Sequence, residues 1–144
     1  MRKCVQKISD EGSFHTTCLS ASRDGKFLAS GNKMGTVNIF ATSDVSRGQE
    51  NVTPLKTIMN LTTSITDLQF NPTSQLLGFC SKWKKNALRL VHIPSFSVYQ
   101  NFPGAAVGVL KYPFNIDFSH SSTYMSMGND EGKCHLYNMY YFNK

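Results

Sequence analysis

The sequence predicts an all-β fold built from three copies of one unit, and three observations support this prediction. Similar stretches recur around Ala21, Phe70 and Phe118, at spacings of 49 and then 48 residues. Apolar and polar residues alternate within each copy, as they do along a half-buried strand. Gly, Asn, Pro and Ser interrupt the chain at short intervals, so no stretch of helical length remains.

Each copy begins with a short strand followed by a polar turn. The turns contain Asp-Gly, Asn-Pro or paired serines, which favour chain reversal. Glycine tolerates positive φ, proline pre-sets one dihedral angle, and serine bonds to the nearby backbone. A second apolar run follows each turn, so each copy is expected to begin as a hairpin. The three turns are residues 22–25, 71–74 and 119–122.

A second turn separates the second and third strands of each copy. Copies one and three share the pattern Gly-Asn-x-x-Gly, at residues 31–35 and 128–132. Copy two has a longer turn at residues 80–86, and it ends on Asn86. Asparagine is the residue next best suited, after glycine, to a left-handed backbone. The longer turn accounts for the two extra residues of copy two.

The third strands continue the alternation in the same register. One face of each strand is expected to carry the pairs Val37 and Ile39, Leu88 and Leu90, and Cys134 and Leu136. Fourth strands are predicted at residues 55–59 and 97–101, and an outer strand of a preceding unit at residues 4–8. The polar link 42–53 is predicted to be a surface loop.

Four short antiparallel strands repeating at this spacing are typical of a β-propeller blade, since WD and kelch repeats span ~40 to 50 residues. The predicted fold is therefore a partial β-propeller of about three four-stranded blades, forming one region, 1–144. The repeats are expected at about 14–60, 61–103 and 110–144. A closed ring takes ~4 to 8 blades. Three blades would leave two blade faces exposed and favour self-association.

The chain is basic, with 15 Lys and Arg against 9 Asp and Glu and a net charge of +6. This surplus favours a polyanion such as RNA, or an acidic protein face. The densest basic cluster is Lys82-Trp83-Lys84-Lys85. Trp83 is positioned to stack on a base while the lysines meet phosphates, or to fill a pocket of a protein partner. A merely solvated turn is the third interpretation.

Sequence motifs of catalysis are missing. The chain has no H-E-x-x-H, no phosphate-binding glycine motif and no G-x-S-x-G. The histidines are scattered, and the nearby acids Asp117, Asp130 and Glu131 are expected to be solvated. Four cysteines without a C-x-x-C pair indicate neither a metal site nor a disulfide framework. No catalytic, cofactor-binding or metal site, no cofactor, no small-molecule substrate and no membrane span are therefore predicted.

Over nearly its whole length, the sequence resembles the C-terminal three WD repeats of the U3 small nucleolar RNA-associated protein 18 family. The resemblance lies in IMNLTTSITDLQFNPTSQLLGFCSKWKKNALRLVHIPSFSVYQNFP, at residues 58–103, and in IDFSHSSTYMSMGNDEGKCHLYN, at residues 116–138. LRLVHIPS followed by QNFP is specific to that family. The Trp-Asp pair that names WD repeats is absent. Its places are taken by Phe40-Ala41, Val91-His92 and Tyr137-Asn138.

This resemblance implies a blade set from a seven-bladed propeller that acts as a non-catalytic scaffold in the nucleolus. The particle would be the small-subunit processome, which assembles on pre-ribosomal RNA with the U3 small nucleolar RNA and supports 18S rRNA maturation. The implied partners are other processome proteins and these two RNAs. Two alternatives stay open: a module that binds RNA directly, and a WD-repeat adaptor of another protein complex.

Overall fold

The computed structural model describes residues 3–4, 6–9, 15–45, 51–100, 102 and 110–139, and these form three antiparallel sheets. The sheets are called blades 1, 2 and 3 in chain order, and the prediction of an all-β, propeller-like fold is confirmed. Blade 1 consists of β1 (Thr16–Ala21), β2 (Phe27–Asn32), β3 (Val37–Ala41) and β4 (Lys56–Ile58). Blade 2 consists of β5 (Asp67–Phe70), β6 (Leu76–Cys80), β7 (Leu88–His92) and β8 (Ser97–Val98). Blade 3 consists of β9 (Pro113–Phe118), β10 (Tyr124–Asn129) and β11 (Cys134–Asn138).

The three blades share one strand register, which confirms the predicted repeat. In each blade, the last residue of the first strand pairs with an apolar residue of the second strand. That apolar residue also pairs with the third-strand residue that stands where a Trp-Asp repeat has its tryptophan. The triplets are Ala21, Leu28 and Phe40, then Phe70, Leu77 and Val91, then Phe118, Met125 and Tyr137.

The first turn of each blade is closed by the same side-chain bond. The residue after the first strand accepts a hydrogen bond from the backbone N–H five positions later, at 2.9 to 3.0 Å. The acceptors are Ser22, Asn71 and Ser119. Three residues after each acceptor the backbone has positive φ, at Gly25, Ser74 and Ser122. The polar residues at these positions thus form the chain reversal that the sequence predicts.

The second turns also agree with the sequence. Gly35, Asn86 and Gly132, each two residues before the third strand, have positive φ of 87, 58 and 75°. The strands flanking the turn are paired between residues 31 and 37, 80 and 88, and 128 and 134, so the blade 2 turn is two residues longer. The insertion leaves the register on both sides unchanged.

The blades stack face to face around two apolar cores. One core lies between blades 1 and 2 and includes Ile39, Ile65 and Phe79, all fully buried. The other lies between blades 2 and 3 and includes Leu90 and Met127. The first strands β1, β5 and β9 are neighbours, so the blades fan out from their inner strands. This is the packing expected of successive propeller blades.

The outward face of blade 3 is open among the described residues, whereas that of blade 1 is open only at its first strand. Leu136 of blade 3 is 67% exposed, although its blade 2 counterpart, Leu90, is fully buried. Leu19 of blade 1 is 64% exposed, but Ser30 and Phe40 on the same face of the sheet are 3 and 1% exposed. The described residues therefore form a stack with one uncovered end, at blade 3, and no closed ring.

Two local expectations differ from the structure, and a third falls outside the described residues. Thr42–Val45, in the link predicted as a loop, forms the short helix α1. The described residues of the segment 4–8 form no strand, and Ser9 makes one isolated parallel bridge with Asn51. Blade 3 has three strands within the described residues, and a fourth after Met139 would lie outside them.

Candidate nucleic-acid interface

The predicted basic turn projects from the end of blade 2 between β6 and β7. Its base is closed by a hydrogen bond from Ser81 N to Ala87 O (3.0 Å), and both of these residues are buried. Trp83 is 62% exposed, and Lys84 and Lys85 are exposed beside it, while Lys82 is half-buried. The turn therefore holds a large aromatic ring in solvent between cations.

The fold adds two aromatic residues that the sequence reasoning did not select. Phe114, near the start of β9, is 46% exposed, and Tyr112 precedes it. Lys82 Nζ lies 5.0 Å from the centre of the Trp83 ring and 5.7 Å from that of Phe114. Lys85 Nζ lies 6.0 Å from the Tyr112 ring. The Trp83–Phe114 patch is the name we give to Lys82, Trp83, Lys84, Lys85, Lys111, Tyr112 and Phe114.

Asn86 joins the two segments of the patch. Its backbone N–H donates to Lys111 O at 2.8 Å, and its side-chain Oδ1 accepts from Leu110 N at 2.9 Å. Asn86 and Lys111 both have positive φ, 58 and 59°. An asparagine serves here because it tolerates the left-handed backbone and supplies an acceptor, which glycine lacks.

The edge that carries the patch is mainly basic. The second turns of all three blades and the approach to β9 lie at this edge, and their lysines are Lys33, Lys82, Lys84, Lys85, Lys111 and Lys133. Two acids of the blade 3 turn lie nearby. Glu131 contacts Lys111 at 3.6 Å, and Asp130 Oδ1 accepts from Tyr112 N at 3.2 Å. The lysines of the blade 2 turn make no ion pair within the described residues.

The other candidate polar residues do not converge. No group of three His, Cys, Asp or Glu side chains within the described ranges is arranged to hold a metal ion. His92 Nδ1 bonds Ser95 Oγ at 2.7 Å, and His135 stacks on Tyr137. Asp117 Oδ1 accepts from Phe118 N at 3.0 Å, on a strand away from the blade 3 turn.

All four cysteines are free thiols. Burial raises the pKa of Cys80 to about 12 and also raises the pKa of Cys18. A thiol with a raised pKa stays protonated at neutral pH, and the protonated form is a poor nucleophile and metal ligand. These two cysteines therefore act as small apolar residues, as their scattered spacing indicates.

Asp67 is a positioning residue that the sequence reasoning missed. Its Oδ2 accepts a hydrogen bond from Ile116 N at 2.8 Å and its Oδ1 accepts from Leu68 N at 2.9 Å. The first bond joins the inner strands of blades 2 and 3. Thr17 of β1 links blades 1 and 2 in a similar way. Its hydroxyl donates to the backbone oxygen of Ile65, just before β5, at 2.6 Å.

Within the part of the chain that the structure describes, no helix has the length and apolar character needed to cross a membrane.

Comparison with known sequences gives a consistent group of relatives. The chain is 39% identical to the human U3 small nucleolar RNA-associated protein 18 homolog over 98% of its own length, and 40% identical to the Arabidopsis thaliana homolog over 97%. It is 34% identical to U3 small nucleolar RNA-associated protein 18 of Saccharomyces cerevisiae over 96%. The chain spans about a quarter of these relatives, 25, 25 and 24% of their lengths. No family model matches the chain.

Comparison with solved structures identifies the fold. The crystal structure of the Cps50 (Swd1) β-propeller domain from Myceliophthora thermophila superposes with a TM-score of 0.63 at 19% identity. The match covers 87% of this chain and 36% of that domain, so the described sheets correspond to one sector of a propeller. Together, the comparisons show that the chain folds as a set of β-propeller blades and that its sequence is similar to members of the U3 small nucleolar RNA-associated protein 18 family.

Proposed function

We propose that the chain is part of a non-catalytic scaffold that acts in nucleolar ribosome biogenesis, as a subunit of the small-subunit processome. The observation that carries this proposal is the similarity over nearly the whole chain to proteins named as associated with U3 small nucleolar RNA. The proposed units are the C-terminal repeats of such a protein, at about 14–60, 61–103 and 110–144. Its work would be to support pre-ribosomal RNA processing and 18S rRNA maturation.

The geometry is that of a binding surface. Stacked blades with exposed turns present a rigid rim for other macromolecules, which supports a role in binding. The proposed partners are other processome proteins, together with U3 small nucleolar RNA and pre-ribosomal RNA. The proposed location is the nucleolus. Lys82, Trp83, Lys84 and Lys85 are the proposed contact residues, since they protrude from the rim.

A second function, direct RNA binding, is favoured by one specific observation. The Trp83–Phe114 patch combines the exposed rings of Trp83 and Phe114 with the lysines of the blade 2 turn on one edge. Such surfaces bind single-stranded nucleic acid with little sequence preference. Scaffold and RNA contact are compatible roles within one particle.

The proposed function predicts a defect in ribosomal RNA processing on loss of the full-length protein that contains this chain. Depletion should lower mature 18S rRNA and leave 28S rRNA unchanged, because the particle makes the small subunit only. Northern blots of both RNAs measure this, and rescue by the full-length protein is the control. Purified complexes should also be enriched in U3 small nucleolar RNA. Normal 18S rRNA together with no U3 enrichment would contradict the proposal.

A further inference from the structure

We infer that the Trp83–Phe114 patch is a binding site for single-stranded RNA, in which bases stack on Trp83 and Phe114 and lysines contact the phosphates. The inference rests on the proposed function, which brings the protein to an RNA particle, and it deepens that function by naming the site and the ligand. Sequence inspection points to the turn alone, whereas the structure adds Phe114 and Tyr112 from the neighbouring blade.

The two exposed rings come from different blades. Trp83 lies on the blade 2 turn and Phe114 on the first strand of blade 3, with Lys82 Nζ between them at 5.0 and 5.7 Å from the ring centres. Large aromatic side chains are usually buried, so two that are 62 and 46% exposed around one cation need an explanation. Stacking of successive bases on aromatic rings provides it, because every base offers a π face.

The charges favour RNA over a protein partner. Lys82, Lys84 and Lys85 flank Trp83 in the turn, whereas Lys111, three residues before Phe114, is paired with Glu131 at 3.6 Å. Lysine is depleted in the dry centres of protein–protein interfaces, where it would lose hydration without a matched acid. Phosphates spaced along a strand satisfy several lysines at once while their counterions are released. The aromatic rings and the lysines therefore both fit single-stranded RNA as the ligand.

The site is held in place before any ligand arrives. The two bonds of Asn86, to Lys111 O and from Leu110 N, fix the turn against the segment that leads into β9. The rings are thus carried on one connected rim, although 31 positions separate Trp83 from Phe114. A preorganised surface binds with less loss of conformational entropy than a flexible tail.

Tryptophan fluorescence tests the inference directly, because Trp83 is the single tryptophan of the chain. The chain is titrated with a mixed-sequence 12-nucleotide single-stranded RNA. Base stacking should quench the emission saturably. The affinity is measured at a series of salt concentrations. A plot of the log of the association constant against the log of the salt concentration should have a slope of about −2, as expected if Lys82, Lys84 and Lys85 each contact one phosphate. A duplex of the same RNA and polyglutamate should cause no comparable quenching.

The variant Phe114→Ala keeps the reporter and removes the second ring. Its RNA affinity should fall about tenfold, in line with the loss of one stacked base. Tyr124→Ala is the matched control: Tyr124 is a similarly exposed aromatic (43%) at the start of β10, and its affinity should be unchanged. If Phe114→Ala does not melt cooperatively, the double variant Lys84→Gln and Lys85→Gln replaces it. That variant should reduce the salt slope by more than half.

Three results would overturn the inference: no quenching by single-stranded RNA at low salt, equal quenching by the duplex or polyglutamate, or unchanged affinity in Phe114→Ala. Quenching by polyglutamate alone would assign the patch to an acidic protein. These outcomes are distinct from failure of the proposed function. If the patch does not bind RNA but depletion of the protein still lowers 18S rRNA, the inference is wrong and the proposed scaffold role stands.

Discussion

Gly35 and Gly132 occupy the same position in the second turns of blades 1 and 3, yet their surroundings differ. Both have positive φ, 87 and 75°, so any side chain there is strained. A Cβ at Gly35 would lie 2.6 Å from Leu61 O and 2.7 Å from Thr63 O, whereas a Cβ at Gly132 would meet nothing within 4 Å. Gly35 is required by its backbone angle and by packing, and Gly132 by its angle alone.

Alanine substitutions at these two glycines should separate the two effects. Gly132→Ala is expected to lower the free energy of unfolding by about 1 kcal/mol, the strain of a left-handed residue. Gly35→Ala should cost more, about 2 to 3 kcal/mol, because two backbone carbonyls must also shift. Urea unfolding followed by circular dichroism measures both. Equal losses of unfolding free energy in the two variants would show that the backbone carbonyls of Leu61 and Thr63 can shift without cost.

Single residues were predictable where the backbone dictates the residue type. The left-handed position of Asn86 follows from its place at the end of the longer turn, and the structure bears it out with φ of 58°. Phe114 could not be found this way, since its partner Lys82 lies 32 positions earlier in another blade. The run Tyr112-Pro113-Phe114, with aromatics on either side of a proline, was the available signal.

At the scale of the elements, polar side chains hold the hairpins together. Asn71 is 1% exposed, and its Oδ1 accepts from both Gln75 N and Leu76 N at 2.9 Å. Ser119 makes one equivalent bond, to Tyr124 N at 3.0 Å, in a more open position. Buried N–H groups that lose their acceptor cost more than exposed ones, which water can satisfy.

Removal of the acceptor should therefore have unequal effects in blades 2 and 3. Asn71→Ala is expected to lower the free energy of unfolding by about 2 to 3 kcal/mol, since two N–H groups are left without a partner. Ser119→Ala, the matched control in the same turn position, should cost about 1 kcal/mol or less. Thermal melts of the two variants measure the difference. The prediction fails if Ser119→Ala is the more damaging change.

Elements were predictable where the sequence alternates or turns sharply. β4 and β8 lie inside the predicted ranges 55–59 and 97–101 but are shorter. Helix α1 was missed, because four residues carry no periodic pattern to read. The strand predicted at residues 4–8 rested on its place before the first copy, as the outer strand of a preceding unit, and the described residues of this segment form no strand. Position along the chain is a weak indicator of a strand without a neighbouring strand to pair with.

The whole molecule is a stack in which each blade covers the next. The face of blade 2 that carries Leu90 packs on blade 3, and the face that carries Leu68 packs on blade 1. The counterparts at the two ends of the stack, Leu136 and Leu19, are 67 and 64% exposed. The outward face of blade 3 thus matches, position by position, the face that blade 2 offers to its neighbour.

The isolated 144-residue chain is therefore expected to self-associate through the outward face of blade 3, which would pack on the same face of a second copy. Leu136→Lys should shift the chain toward monomer without lowering its melting temperature, because the side chain is already in water. Met59→Lys, at a site 72% exposed just after β4 of blade 1, is the control. Sedimentation velocity over a concentration series measures this. A monodisperse monomer at every concentration would contradict it.

The overall architecture was the easiest feature to predict from the sequence, because the same strand and turn pattern occurs in three copies. A single copy leaves the order of strands open, whereas three copies in one register fix it. The candidate site was predictable only in part. Its turn is contiguous in sequence, but the second half comes from the next blade, and contact between blades leaves no local trace in either segment.

The longer turn of blade 2 shows where this fold accommodates change. Two additional residues enter between β6 and β7 without moving the pairing of Cys80 with Leu88, whereas Gly31 with Val37 and Gly128 with Cys134 close tighter loops on the same framework. The length of the turn can therefore change while the pairing of the strands beneath it stays the same. Residues at the tip of this loop can change while the sheet keeps its pairing, so foreign peptides grafted between Ser81 and Asn86, with Asn86 retained, should be displayed on an undisturbed blade.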